Sequence, residues 1–80
     1  MDSFKEKNEI LLRLSTEEAV VLINWLFRFN SNDNNHFEDQ AEERILWDLE
    51  SALEKVTTEV IDEKFEEILL LAKEKVRDVI

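Results

Sequence analysis

Cysteine, glycine, proline and tyrosine are all absent from this chain, and histidine and methionine occur once each. Without cysteine there is no disulfide and no thiol nucleophile, so nothing about the redox compartment follows from the sequence. Without glycine there is no phosphate-cradling loop and no dinucleotide-binding fingerprint. With neither glycine nor proline, helix ends fall to other residues, and Asn30, Asn32 and Asn34 are the candidates for a left-handed conformation. Long apolar runs are missing too: the longest, "AVVLI" and "ILLLA", are far below membrane-spanning length. The opening "MDSFKEKNE" is polar and lacks the apolar stretch of a signal peptide, so the expectation is a cytoplasmic protein.

Positive charge is scarce. Ten basic residues face twenty acidic ones, for a net charge of -10. Such a field repels nucleic acid phosphates and anionic membranes and favours basic partners. It is unevenly spread. Residues 30–54 hold Asp33, Glu38, Asp39, Glu42, Glu43, Asp48, Glu50 and Glu54 against Arg44 alone, a local net of -7, so one element carries most of the field.

At 80 residues, 44% hydrophobic and 38% charged, the chain is too apolar for disorder and too short for two cores. A domain of this size buries only about 60 to 65% of its unfolded surface, so its stability is marginal unless something else covers apolar area. The expectation is a single domain, residues 1–80, folded as an all-α, compact three-helix bundle.

Ser15 followed by Glu18 makes a capping box, with Leu14 and Ala19 as its hydrophobic staple, and predicts a helix over about 15–29. Asn35 followed by Glu38 predicts a second helix over about 36–55, with Glu38, Asp39 and Glu42 near its positive end. In "VTTEVI", residues 56–61, β-branched residues crowd together and predict an extended or turned connector. Asp62 is the expected cap of a third helix over 62–79, with Phe65, Ile68, Leu69, Ala72, Val76 and Val79 along one stripe. Residues 10–14, "ILLRL", form a short extended segment that is either a strand pairing with the 56–61 connector or a strap across the bundle.

Helical projection is more informative about function. The second helix places Ala41, Ile45, Leu46, Leu49, Ala52, Leu53 and Val56 on one stripe and Trp47 on the opposite side, among Gln40, Glu43, Ser51 and Glu54. In the third helix Leu70 falls among Glu63, Glu66, Glu67 and Glu74. The first helix is apolar over more than half its circumference: Leu22, Trp25, Leu26 and Phe29 form one face, and Val20, Ile23 and Phe27 its neighbour. It is therefore either the central helix or the bearer of a second interface, with Val20, Ile23 and Phe27 as the candidate dimer face. Trp47 has two readings: the strap or the connector folds over it, or it anchors a partner drawn in by the acidic rim.

Catalytic and metal readings are weak by comparison. The best calcium-loop frame starts at Ser31 and puts Asp33, Asn35 and Glu42 at ligand positions, but His36 occupies the sharp bend that glycine normally makes. His36 with Glu38, Asp39 or Glu42 is a thin transition-metal set. Carboxylate pairs such as Glu38 with Glu42 need a pocket to separate their pKa values, and His36 is the sole base for Ser3, Ser15, Ser31 or Ser51. The expectation is no enzyme, no cofactor and no metal; a small hydrolase or metal protein is the least favoured class.

The segment "FEDQAEERILWDLESALEK", residues 37–55, with the preceding "LSTEEAVVLINWL", resembles a pattern in small, acidic, uncharacterised bacterial proteins. The resemblance covers about half the chain and carries no functional residue across. Size, charge and helicity also parallel the immunity proteins that neutralise basic nuclease toxins, an analogy of type. The expected function is a non-catalytic acidic binding module that masks a basic protein partner such as a toxin, nuclease or nucleic-acid-binding protein. Its expected partner-binding residues are Trp47, Glu43, Glu50, Glu54, Glu38, Asp39 and Glu42. The alternative is a homodimeric structural or interaction protein.

Overall fold

The computed structural model describes residues 1–34, 36–57 and 64–78. Five elements follow one another: strands β1 (Asp2–Glu6) and β2 (Glu9–Arg13), then helices α1 (Thr16–Asn30), α2 (Gln40–Thr57) and α3 (Phe65–Val76). The chain is mostly helical, but a two-stranded antiparallel sheet at its N-terminus corrects the all-α expectation. No described helix is long and apolar enough to cross a membrane.

The capping box forms as expected. The Glu18 backbone N–H donates to Ser15 Oγ at 3.0 Å, and the Ser15 backbone N–H donates to Glu18 Oε1 at 2.8 Å, satisfying two of the donors a helix start leaves free. The far end of α1 is solved differently. Ser31 stays right-handed (φ -86°), its hydroxyl donating to the Phe27 carbonyl at 2.6 Å, and Asn32 Oδ1 accepts the Asn34 backbone N–H at 2.9 Å. Side-chain hydrogen bonds thus end the helix where a left-handed asparagine was expected.

Two boundaries of α2 move. Asp39 is the residue that caps it, its Oδ1 accepting the Ala41 backbone N–H at 2.8 Å, while Glu42 Oε1 accepts from the Glu38 backbone N–H at 2.9 Å. This is a side-chain cap with a second bond just outside the helix, not the reciprocal box of Ser15 and Glu18, and it lies four residues beyond the expected cap, Asn35, which is outside the described residues. At the other end the helix continues through Val56 and Thr57. Thr57 is buried, and its hydroxyl donates to the Leu53 carbonyl one turn back at 2.7 Å, which lets a β-branched residue sit in a helix. The expected third-helix cap, Asp62, and the end of its stripe, Val79, lie outside the described residues; α3 is observed from Phe65.

Residues 10–14 find their partner upstream. Residues 58–61 of the connector lie outside the described residues and 56–57 are helical; the observed partner of β2 is β1, in the register Asp2↔Arg13, Phe4↔Leu11 and Glu6↔Glu9. A two-residue loop, Lys7 and Asn8, joins the strands, and Lys7 takes a left-handed φ of 47° in place of the missing glycine.

Among the described elements α1 is the central helix. It packs against both α2 and α3, which do not touch each other, and neither strand packs on a helix. On the α2 side Ala19, Ile23, Leu26 and Leu53 form the core, with Leu22, Phe27 and Leu46 packed against it. On the α3 side Val20 and Ala72 are buried. Only one edge of the α2 stripe, Leu46 and Leu53, reaches α1; Ile45 (65% exposed), Val56 (73%) and Leu49 stay outside, because α3 does not close over them. Leu70 is exposed, as its projection implied.

The result is open. The radius of gyration is 14.2 Å, against about 11.6 Å for a compact chain of this length. The accessible surface is 6923 Å², against about 5,100 Å² for a monomer of this mass.

The capping box links to pH. Hydrogen bonding from the Ser15 backbone N–H, against a desolvation cost and with help from the Met1 ammonium 3.6 Å away, holds the Glu18 carboxyl below the ordinary glutamate range. Glu17 is lowered by its own backbone N–H and then by Lys75, whose Nζ lies 3.4 Å from Oε1. A pKa lowered on folding adds stability above the unfolded value and loses it as pH falls through the folded one. Ser15→Ala should cost about 1 kcal/mol, seen as a drop of about 4 to 8 °C in Tm. Between about pH 5 and pH 3, Glu18→Gln should lose less thermal stability than the parent chain; parallel melting curves would show that the box contributes no pH dependence.

Candidate functional site

Trp47 projects from α2 toward the end of α1; among the described residues what borders it is not the N-terminal segment, and residues 58–61 of the connector lie outside the described residues. The asparagine-rich loop lies there instead. Asn30, Asn32, Asp33 and Phe37 join Glu43 and Trp47 around a pocket of about 200 Å³. Trp47 keeps 43% of its surface exposed, so the loop edges the ring without closing over it.

The pocket depends on how α1 stops. Because Ser31 and Asn32 turn the chain with their own side chains, the loop folds back past α2 within a few residues. Asn30 anchors the junction: its Nδ2 donates to the Leu46 carbonyl at 3.5 Å, joining the last turn of α1 to the middle of α2. Its Oδ1 is buried and has no hydrogen-bond partner among the described residues. A buried carbonyl oxygen without a donor costs about 1 to 3 kcal/mol, so the seam between α1 and α2 carries a local cost here. An aromatic series supports the same corner: Trp25 stacks on Phe29 with centroids 4.7 Å apart, and Phe29 meets Phe37 edge-on at 5.9 Å.

The sequence-derived residues divide by position. Glu43 lines the pocket, one turn before Trp47 and half-buried, and Glu50 and Glu54 follow on the same side of α2 at helical spacing. Glu38, Asp39 and Glu42 sit at the start of α2, where Asp39 accepts a free backbone N–H of the first turn and Glu42 accepts the Glu38 N–H just before it. Of the candidate dimer face, Val20 and Ile23 are 1% and 0% exposed and Phe27 packs against the core, so α1 uses these residues within the chain. Asp33, Asn30 and Phe37 were not anticipated. The signal that points to them is the Glu43 and Trp47 pair one turn apart on α2, immediately after a loop rich in hydrogen-bonding side chains.

Chemically the pocket is an acceptor site. Two carboxylates, two asparagine side chains and the tryptophan ring suit a cation that also donates hydrogen bonds. Among the described residues no group of three or more histidine, cysteine, aspartate or glutamate side chains converges to hold a metal ion. Comparisons with protein families, with curated proteins and with solved structures find no match.

An acid-rimmed ring has a direct optical test. In a Trp25→Phe chain, which leaves Trp47 as the only fluorophore of its kind, caesium should quench emission more efficiently than iodide at low salt. The difference should shrink at about 0.5 M salt, where charges are screened within a few ångströms. Equal quenching by the two ions at low salt would show that the carboxylates do not govern the surroundings of Trp47.

Proposed function

We propose that the chain is a non-catalytic acidic binding module that masks a basic protein surface, seating an arginine or lysine side chain in the Trp47 pocket. The observation that carries this reading is the convergence of Asp33, Glu43, Asn30, Asn32 and Trp47 around one small cavity. A guanidinium fits it best. Its fork of N–H groups matches a carboxylate, a further N–H has the second carboxylate or an asparagine amide as acceptor, and its flat face stacks on an indole.

The wider field serves capture. The net -7 over residues 30–54 draws a basic partner toward the side of α2 that carries Glu43, Glu50 and Glu54 around Trp47. Masking then follows from geometry: a partner whose arginines or lysines bind phosphates presents those groups to carboxylates in their place. A toxin, a nuclease or another nucleic-acid-binding protein is the partner class this chemistry selects.

The probe is a peptide carrying one arginine on a basic amphipathic helix, titrated into the Trp25→Phe chain while Trp47 emission is followed. Glu43→Gln and Asp33→Asn should each weaken binding by about tenfold, the loss of one charge-assisted contact. Glu66→Gln together with Glu67→Gln removes at least as much charge from α3 and should change binding less than twofold. Equal weakening by the α3 pair would reduce the effect to net charge, and an unchanged Trp47 signal on binding would place the contact elsewhere.

A further inference from the structure

We propose that the outer edge of β2 is a self-pairing surface, on which a second copy of this chain adds its own β2 antiparallel, centred on Leu11. All ten strand residues are exposed, and no described helix packs against either face of the sheet. Ile10 is 75% exposed, Leu12 62% and Leu11 43%. A lone two-stranded hairpin is marginally stable in water, and an uncovered strand edge is a template for another strand.

Backbone geometry decides which residues can pair. Glu6 and Glu9 close the two-residue loop, so they form a hydrogen-bonded pair, and bonded pairs then alternate along the ladder to Phe4 with Leu11 and Asp2 with Arg13. Ile10 and Leu12 therefore direct their N–H and C=O groups outward from β2. An antiparallel partner must place its own outward residues opposite these two. Centring on Leu11 does so, setting Ile10 of each copy against Leu12 of the other, with two hydrogen bonds per pair.

Charge then selects this register from its neighbours. The Leu11-centred arrangement places Glu9 of each copy opposite Arg13 of the other, two ion pairs flanking an apolar middle. Centring on Ile10 instead would set Arg13 against Lys7, a like-charge clash, and centring on Leu12 would set Arg13 against Leu11. The other free edge fails the same test: β1 paired with itself about Phe4 places Asp2 opposite Glu6 twice. The four-stranded sheet that results runs β1, β2, β2 and β1, with a continuous row of Phe4, Leu11, Leu11 and Phe4 on one face. Arg13 already lies 5.1 Å from the centre of the Phe4 ring, at the end of that row.

Net charge permits the contact. Asp2, Glu6 and Glu9 balance Lys5, Lys7 and Arg13, so the hairpin is the neutral part of a strongly acidic chain and brings no repulsion of its own. A standard interface covers about 800 Å² per partner. One strand pair covers less than that, which places the dimer among weak, concentration-dependent ones.

Sedimentation of the full chain over a wide concentration range tests the proposal. The parent chain should shift reversibly from monomer to dimer. Glu9→Arg and Arg13→Glu should each raise the dimer dissociation constant at least tenfold, and an equimolar mixture of these two variants should restore dimer, because each then meets its opposite charge. Leu12→Pro, which removes an outward N–H and no hydrogen bond within the hairpin, should also leave a monomer whose helix content is unchanged. A parent chain that stays monomeric at millimolar concentration, a dimer undiminished in Leu12→Pro, or a mixture that fails to recover overturns the assignment.

Discussion

Val20 and Ala72 on one side of α1, and Ile23 and Leu26 with Leu53 on the other, are joined through α1 alone, since α2 and α3 do not touch. Everything else in the molecule hangs from this shared packing. Fully burying a side chain of this size stabilises by about 1.5 to 3 kcal/mol, and Ile23, Leu26 and Val20 are the largest side chains so buried. No other described element has a comparable source. The hairpin buries none of its side chains, and α2 commits only Leu46, Leu53 and Thr57 to the interior side.

This arrangement explains why the chain carries so much uncovered apolar surface and where its chemistry collects. A helix with apolar residues over more than half its circumference can hold a neighbour on each side, and the neighbours then have no need to meet. Ile45, Leu49 and Val56 are left outside as a consequence. At the end of α1 the loop, α1 and α2 come together, and there Asn30 joins the helices and lines a cavity with two carboxylates and an indole. The proposed cation site and the fold share a residue at that point, since the Asn30 that lines the cavity also joins the two helices.

Local signals in the sequence translated well into structure where the physics is local. Ser15 and Glu18 need only each other to form a capping box, and a circumference rich in apolar residues needs no partner to mark α1 as central. The start of α2 was displaced because Asp39 offers the same chemistry as Asn35, and short-range preference does not rank two such candidates. The hairpin was half legible: β2 shows as "ILLRL", but β1 has Phe4 as its sole strongly strand-favouring residue, and the turn at Lys7 and Asn8 lacks glycine. Trp47 and Glu43 emerged from helical spacing, whereas Asp33, Asn30 and Phe37 reach the pocket through the path of a loop, which spacing does not encode. The inward edge of α2 depends on α3 standing apart, a tertiary fact absent from any helical projection.

Native-state hydrogen exchange on the full chain tests the shared role of α1 most directly, comparing the parent with Leu53→Ala. The account predicts that the slowest amides lie in α1 between Val20 and Phe27, exchanging only on global unfolding, and that α2 and α3 open separately at lower free energy. Leu53→Ala should then accelerate exchange in α2 and in the slowest α1 amides while leaving the local opening of α3 unchanged. Faster exchange in α1 than in both flanking helices, or equal acceleration of α2 and α3 by Leu53→Ala, would contradict it.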